Sequence, residues 1–149
     1  MYSLDAALVR FRQAYDTLFI LLANYPVERR EEAGACGDWS PQQTLAHLCG
    51  WITEAHSRYS DIAAGDEQDI DYDNLDAFNA QSVQERDHMD WNSVISELRG
   101  LAHDLSLRAA AVPQSLAETD PRYSEWLDTL SEDCEHHTRE LRAFIETEV

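Results

Sequence analysis

The sequence predicts an all-α protein, a four-helix bundle, on three observations. Apolar residues recur at three- and four-residue steps in four long stretches, capping residues or prolines punctuate their ends, and no stretch alternates as a strand does. Residues 4–24 place Leu4, Ala7, Leu8, Phe11, Tyr15, Leu18, Phe19 and Leu22 on one face, with Ser3 as the N-cap and Pro26 as the stop. The second stretch, residues 40–64, opens on Ser40, with Pro41 at the first helical position and Gln43 completing an S-x-x-Q capping box; Gly65 ends it. Next comes "GDEQDIDYDN", too acidic to pack and therefore expected to be a solvated loop. "LDAFNAQSVQERDH" is helical but weakly patterned, and it leads into residues 91–112, which put Val94, Leu98, Leu101 and Leu105 on one face before Pro113. The last helix follows Asp120-Pro121 and carries Trp126, Leu130, Cys134, His137, Leu141 and Phe144 as its stripe. Four amphipathic helices with one apolar stripe each bury those stripes together.

The 149 residues suit a single domain, long enough to bury a core without staples. Three cysteines, Cys36, Cys49 and Cys134, are an odd number without paired spacing, which argues against a disulfide framework and for a reducing compartment, the cytoplasm. Cys49 and Cys134 fall on or near apolar stripes as small hydrophobes, whereas Cys36 in "GACGDW" is expected at the surface. The N-terminal "MYSLDAALVRFRQ" lacks a basic leader region, and "LFILLA" is too short to span a bilayer, so a soluble, unprocessed chain is expected. A net charge of -18 excludes nucleic acid as an expected partner, because phosphates must be neutralised by basic side chains; it disfavours anionic membranes likewise. All 11 basic residues are arginine, which rules out a catalytic lysine.

Chemistry is expected from histidine. Asp133 and His137 lie about 40° apart on one helix, so both can aim at one point from successive turns, while His136 points about 100° away from His137. A histidine inside an apolar stripe needs partners for its ring nitrogens. Spacing alone leaves two readings, a buried Asp-His pair or two ligands of a metal that needs a third. On the second helix, Leu48, Ile52, Ala55 and Tyr59 define the stripe, and His56 lies nearer its centre than His47; pattern alone makes His56 the better-buried histidine. His47 shares its flank with Trp51 and Glu54. His88 and His103 lack a spaced partner and are expected in solvent.

"WSPQQTLAHLCGW" resembles the segment by which the DinB-like superfamily of four-helix proteins (DinB/YfiT-like) is recognised: a Trp-Ser/Thr-Pro helix start and a histidine within an "LxHLxxW" run. "DNLDAFNAQSVQERDHMDWNSVISEL" is similar to the middle region of the ClbS/DfsB branch and of the N-terminal domains of mycothiol-dependent maleylpyruvate isomerases, including "DAFN". With the final helix the resemblance covers most of the chain. It implies a three-ligand divalent metal site, whose members here are His47, Asp133 and His137. The commonest pattern in that superfamily has histidine at the position of Asp133, and the isomerase branch has glutamate. Trp51 is expected to wall the site, and Asn79 of "DAFN" either lines the pocket or caps a turn.

Two imidazoles and one carboxylate suit zinc, with nickel, iron and manganese as further candidates, and leave open positions for water or substrate. The implied activity is a metal-dependent hydrolysis or thiol transfer on a small molecule, in stress response or detoxification. The alternative is a metal-free binding or self-resistance protein of the ClbS/DfsB type, which sequesters or opens a reactive metabolite. A homodimer through helix faces is expected, as in many relatives, because aromatics remain exposed once the four stripes are used.

Overall fold

Each long helix starts where a capping side chain is available. The computed structural model describes residues 3–66 and 72–147. In α1 (Leu4–Ala23), Ser3 Oγ accepts from the Ala6 amide at 3.3 Å. At the head of α2 (Pro41–Ala63) the expected capping box is complete: Ser40 Oγ accepts from the Gln43 amide at 3.1 Å, and Gln43 Oε1 accepts from the Ser40 amide at 3.0 Å. A single side-chain oxygen caps each of the next two helices: Asn74 Oδ1 accepts from the Ala77 amide at the start of α3 (Leu75–Gln84) and Asp90 Oδ1 from the Ser93 amide at the start of α4 (Trp91–Ala110). A single 3-10 turn, Val27–Arg29, follows α1.

Pro113 ends α4 as the sequence suggests, but its carbonyl then accepts from Leu116 and Ala117 and so opens a short α5 (Gln114–Thr119) that the pattern does not show. At the start of α6 (Arg122–Glu146), Asp120 Oδ1 accepts from the Arg122 amide at 3.0 Å across the intervening Pro121.

The four long helices bury their stripes together. α1 packs on α6 and α4, and α2 packs on α4, α3 and α6. Phe11, Leu18, Leu48, Ile52, Val94, Leu98, Leu105, Leu127 and Leu141 are fully enclosed. Two buried tyrosines tie distant segments by donating to backbone carbonyls, Tyr25 to Leu141 at 2.8 Å and Tyr59 to Tyr123 at 2.6 Å, which satisfies hydroxyls that would otherwise be costly to bury. Among the described residues no strand forms; Cys36 and Trp39 make an isolated antiparallel bridge. No helix among them is long and apolar enough to cross a membrane.

Several expectations about burial need correction. His47 is 5% exposed while His56 is only half-buried, the reverse of the order read from the α2 stripe, because α3 lies over the flank that a one-sided stripe assigns to solvent. His56 instead faces α4, 3.2 Å from the Leu101 carbonyl. Cys36 is buried, not at the surface, since its loop folds inward. The centre of the α6 stripe runs through Cys134, Thr138 and Leu141, and His137 sits on its edge.

Of the acidic loop, residues 67–71 lie outside the described residues, but Tyr72 at its end is half-buried and donates to Glu54 Oε1 at 2.8 Å instead of facing water. The exposed large apolar side chains among the described residues are aliphatic, Ile20 and Val27 foremost; the aromatics expected to remain outside are not found among them. His88 and His103 are exposed, as expected.

Candidate functional site

The sequence of α2 from Ser40 to Trp51 sets the first side of the site. The capping box fixes the start of the helix, and His47 and Trp51 then project from the same flank one turn apart. Over that flank lies α3, brought close because Gly50 has no side chain: a Cβ there would strike Ser82 Oγ and Cβ. This approach delivers Asn79, whose Oδ1 lies 2.7 Å from Trp51 Nε1 and 3.0 Å from His47 Nδ1. Asn79 therefore lines the pocket; the turn before α3 is capped by Asn74.

The far side comes from α6. His47 Nε2 lies 3.1 Å from Asp133 Oδ2, and His137 Nε2 lies 3.1 Å from Asp133 Oδ1, so one carboxylate spans two imidazoles. The His47 and His137 rings meet edge-on with centroids 5.0 Å apart, and Trp39 packs on His47 at 4.9 Å. His47, Asp133 and His137, read as a group at the sequence level, thus converge. His136 is exposed and turns to Glu140 Oε1 at 3.2 Å.

The far nitrogens decide what the near ones can do. An indole N–H only donates, so Asn79 must turn its oxygen to Trp51; the same oxygen can then only accept from His47, placing a proton on Nδ1. His137 Nδ1 likewise faces Glu140 Oε1 at 2.7 Å, a carboxylate acceptor that places a proton there too. Both histidines are thereby set with Nε2 toward Asp133, and each Nε2–carboxylate contact needs a proton or a cation between its two atoms.

Burial works against charging His137, but hydrogen bonding and negative charge from Asp133 first, and from Cys36 after it, outweigh it and raise the imidazole to about 10. Burial likewise works to raise Asp133, yet the hydrogen bonds from His137 and His47 hold it well below the usual carboxylate range. Cys49 and Cys134 are pushed up to about 12 by burial and stay unreactive thiols.

His47 and Asp133 line a cavity of about 740 Å³, within the range of small-molecule sites, and His136 also borders it, whereas His137 is joined to the lining through Asp133. One wall is aromatic: Trp51 lies 5.1 Å from Tyr72 and 6.4 Å from Trp126 between ring centroids, and Phe78, outside the lining, packs on Trp51 at 4.3 Å. Polar residues also line the cavity, including Arg58 and Arg122, which are ion-paired with Asp61 and Asp120 at 2.9 and 2.7 Å. Tyr72, Phe78, Trp126 and Glu140 are the participants that sequence reasoning missed. The last was within reach, since Glu140 follows His137 by three residues and so shares its face.

Fold and site together define an all-helical bundle with a cavity between α2, α3 and α6 and a His-Asp-His trio at its edge. A solved structure of an uncharacterised protein from Escherichia coli UTI89 shares this fold with a TM-score of 0.84, over 98% of this chain and 94% of its own, at 12% identity. The colibactin self-resistance protein ClbS, solved in complex with a double-stranded DNA, matches with a TM-score of 0.80 over 100% of this chain and 99% of its own, at 10% identity. At such identities the likeness is one of fold. No family sequence model matches the chain, and no curated protein matches it in sequence.

Proposed function

We propose that this chain is a small-molecule-binding protein of the self-resistance kind, in the ClbS/DfsB branch of the DinB-like superfamily. It receives a ligand with a flat apolar face against Trp51 and Trp126 and engages its polar atoms with His47 and Asp133. The observation that carries this reading is the pocket itself, an aromatic wall leading to the oriented imidazole of His47 and to the carboxylate of Asp133, which His137 holds from behind the lining. The full-length likeness to ClbS supports the kind of protein. Nucleic acid stays outside the proposed partners, because 29 acidic against 11 basic residues leaves too little positive surface for a polyanion. Location in the cytoplasm belongs to the same proposal, and pairing into a homodimer would have to use exposed aliphatics such as Val9 and Ile20 instead of aromatics.

A second reading is favoured by one specific observation. One ligand atom each from His47, Asp133 and His137 lies within 4.8 Å of the others, and Asn79 and Glu140 hold the far nitrogens as outer partners of metal-bound histidines do. This donor set fits a divalent cation, zinc or nickel first. Such a cation would acidify a bound water for hydrolysis or activate a thiol. The protein's own part would be to keep both Nε2 atoms presented and to exclude bulk water with Trp39 and Trp51.

Elemental analysis and thermal melts of the wild-type chain and His47→Ala, with and without added zinc or nickel, separate the two. The leading reading expects no bound metal and no rise in melting temperature that depend on His47. A full equivalent in the wild type, a raised melting temperature, and loss of both in His47→Ala would put the metal centre in its place.

A further inference from the structure

His137 has two ring nitrogens, and only Nε2 meets Asp133. On the other side, its Nδ1 is 2.7 Å from Glu140 Oε1, and Cys36 completes a group whose ligand atoms, one each from Cys36, His137 and Glu140, all lie within 4.8 Å of one another. Cys36 is held there by its loop. The Gly34, Ala35 and Cys36 amides all donate to the Trp39 carbonyl, at 3.2, 2.9 and 3.3 Å, and the Trp39 amide returns to the Cys36 carbonyl at 3.0 Å. Gly37, at φ +59°, makes the tight turn between them, a conformation that glycine adopts without strain. The same turn that lays Trp39 on His47 thus directs Cys36 toward His137.

We infer that Cys36, His137 and Glu140 form a second cation site, selective for thiophilic divalent metals, that shares His137 with the pocket trio and excludes a cation from it. Thiolate, imidazole and carboxylate together are a donor set for zinc-like ions, and the thiolate shifts the preference toward softer ones. Metal entry releases the thiol proton of Cys36 and the Nδ1 proton of His137. The proton on Nε2 then stays, donating to Asp133 Oδ1 at 3.1 Å, so His137 cannot offer that nitrogen to the pocket at the same time. Glu140 remains anchored from outside by His136 at 3.2 Å. This site does not depend on the reading of the pocket, because two of its three ligands, Cys36 and Glu140, lie outside the pocket trio.

Cobalt(II) and cadmium(II) are the probes, titrated into the full chain and followed by absorbance. Uptake of one equivalent with a thiolate-to-metal charge-transfer band is expected, accompanied by proton release. The band should vanish in Cys36→Ser and persist in Cys49→Ser and in His47→Ala. Absence of the band in the wild type at saturating cobalt, or its survival in Cys36→Ser, overturns the site. Uptake of a second equivalent while the band persists overturns the exclusion. Cobalt bound without a thiolate band but lost in His47→Ala overturns this site while favouring a metal in the pocket.

Discussion

Gly50→Ala is expected to unseat α3 and to release His47 from Asn79. The added Cβ would meet Ser82 Oγ and Cβ, and Ser82 is 4% exposed, with its Oγ donating to the Phe78 carbonyl at 3.0 Å. It has little room to yield. Overpacking at a helix crossing costs about 1–3 kcal/mol, which urea or thermal melts resolve. The larger effect falls on the pocket, because Asn79 and Phe78 ride on the same helix as Ser82. Binding at the cavity should fall by on the order of tenfold or more if α3 shifts by a fraction of an ångström. Adding Ser82→Gly should restore binding while leaving about 1 kcal/mol of destabilisation, the usual cost of a glycine within a helix. Restored stability without restored binding would detach Asn79 from the function.

Asp133→Asn carries the second large effect. The carboxylate spans both Nε2 atoms at 3.1 Å, and an amide can accept from one imidazole but presents a donor to the other. Loss of a charge-assisted hydrogen bond of this kind costs on the order of 2 kcal/mol. Its signature is a change in pH dependence, measured on chelator-treated protein. His137 is raised to about 10 in the folded chain from an ordinary 6.5. Its contribution to stability is therefore complete below about pH 6.5 and is lost as pH rises toward about 10. Asp133 is depressed, so its contribution is complete above the ordinary carboxylate range near about 4 and is lost as pH falls through it and below. The wild type should lose stability in both directions from the neutral region. Asp133→Asn should reduce the alkaline slope, and an unchanged slope would mean that His137 owes its raised value to Cys36.

The bundle is legible in the sequence because its signals are local. The capping residues Ser3 and Ser40 act within three residues of themselves, and a stripe such as Val94, Leu98, Leu105 needs only its own helix to be read. The site is less legible because it is made between helices. His47 is buried by α3, whose weak periodicity says nothing about where it docks; the information lies in Gly50 and Ser82, two small residues that no hydrophobic pattern marks.

Cys36 is drawn inside by backbone hydrogen bonds to Trp39, which side-chain composition does not reveal. Tyr72 follows a run of acidic residues and yet turns to Glu54. The i, i+4 spacing of Asp133 and His137 does show in the sequence as one shared face, but joining them to His47 and not to His56 came from the resemblance to the DinB-like superfamily, not from periodicity.

The central claim, a small-molecule pocket bounded by His47 and Asp133 and backed by His137, is tested most directly at the tryptophan indoles. Trp51 and Trp126 line the cavity, whereas Trp91 packs on Tyr25 outside the lining at 5.6 Å. Nitrogen-15 correlation spectra can be recorded while planar aromatic probes such as indole or anilinonaphthalene sulfonate are titrated into the full chain. Saturable movement of the Trp51 and Trp126 indole signals, with Trp91 unmoved and the response lost in His47→Ala, is the expected result. Movement confined to Trp91, or saturable binding that leaves both Trp51 and Trp126 in place, would contradict it.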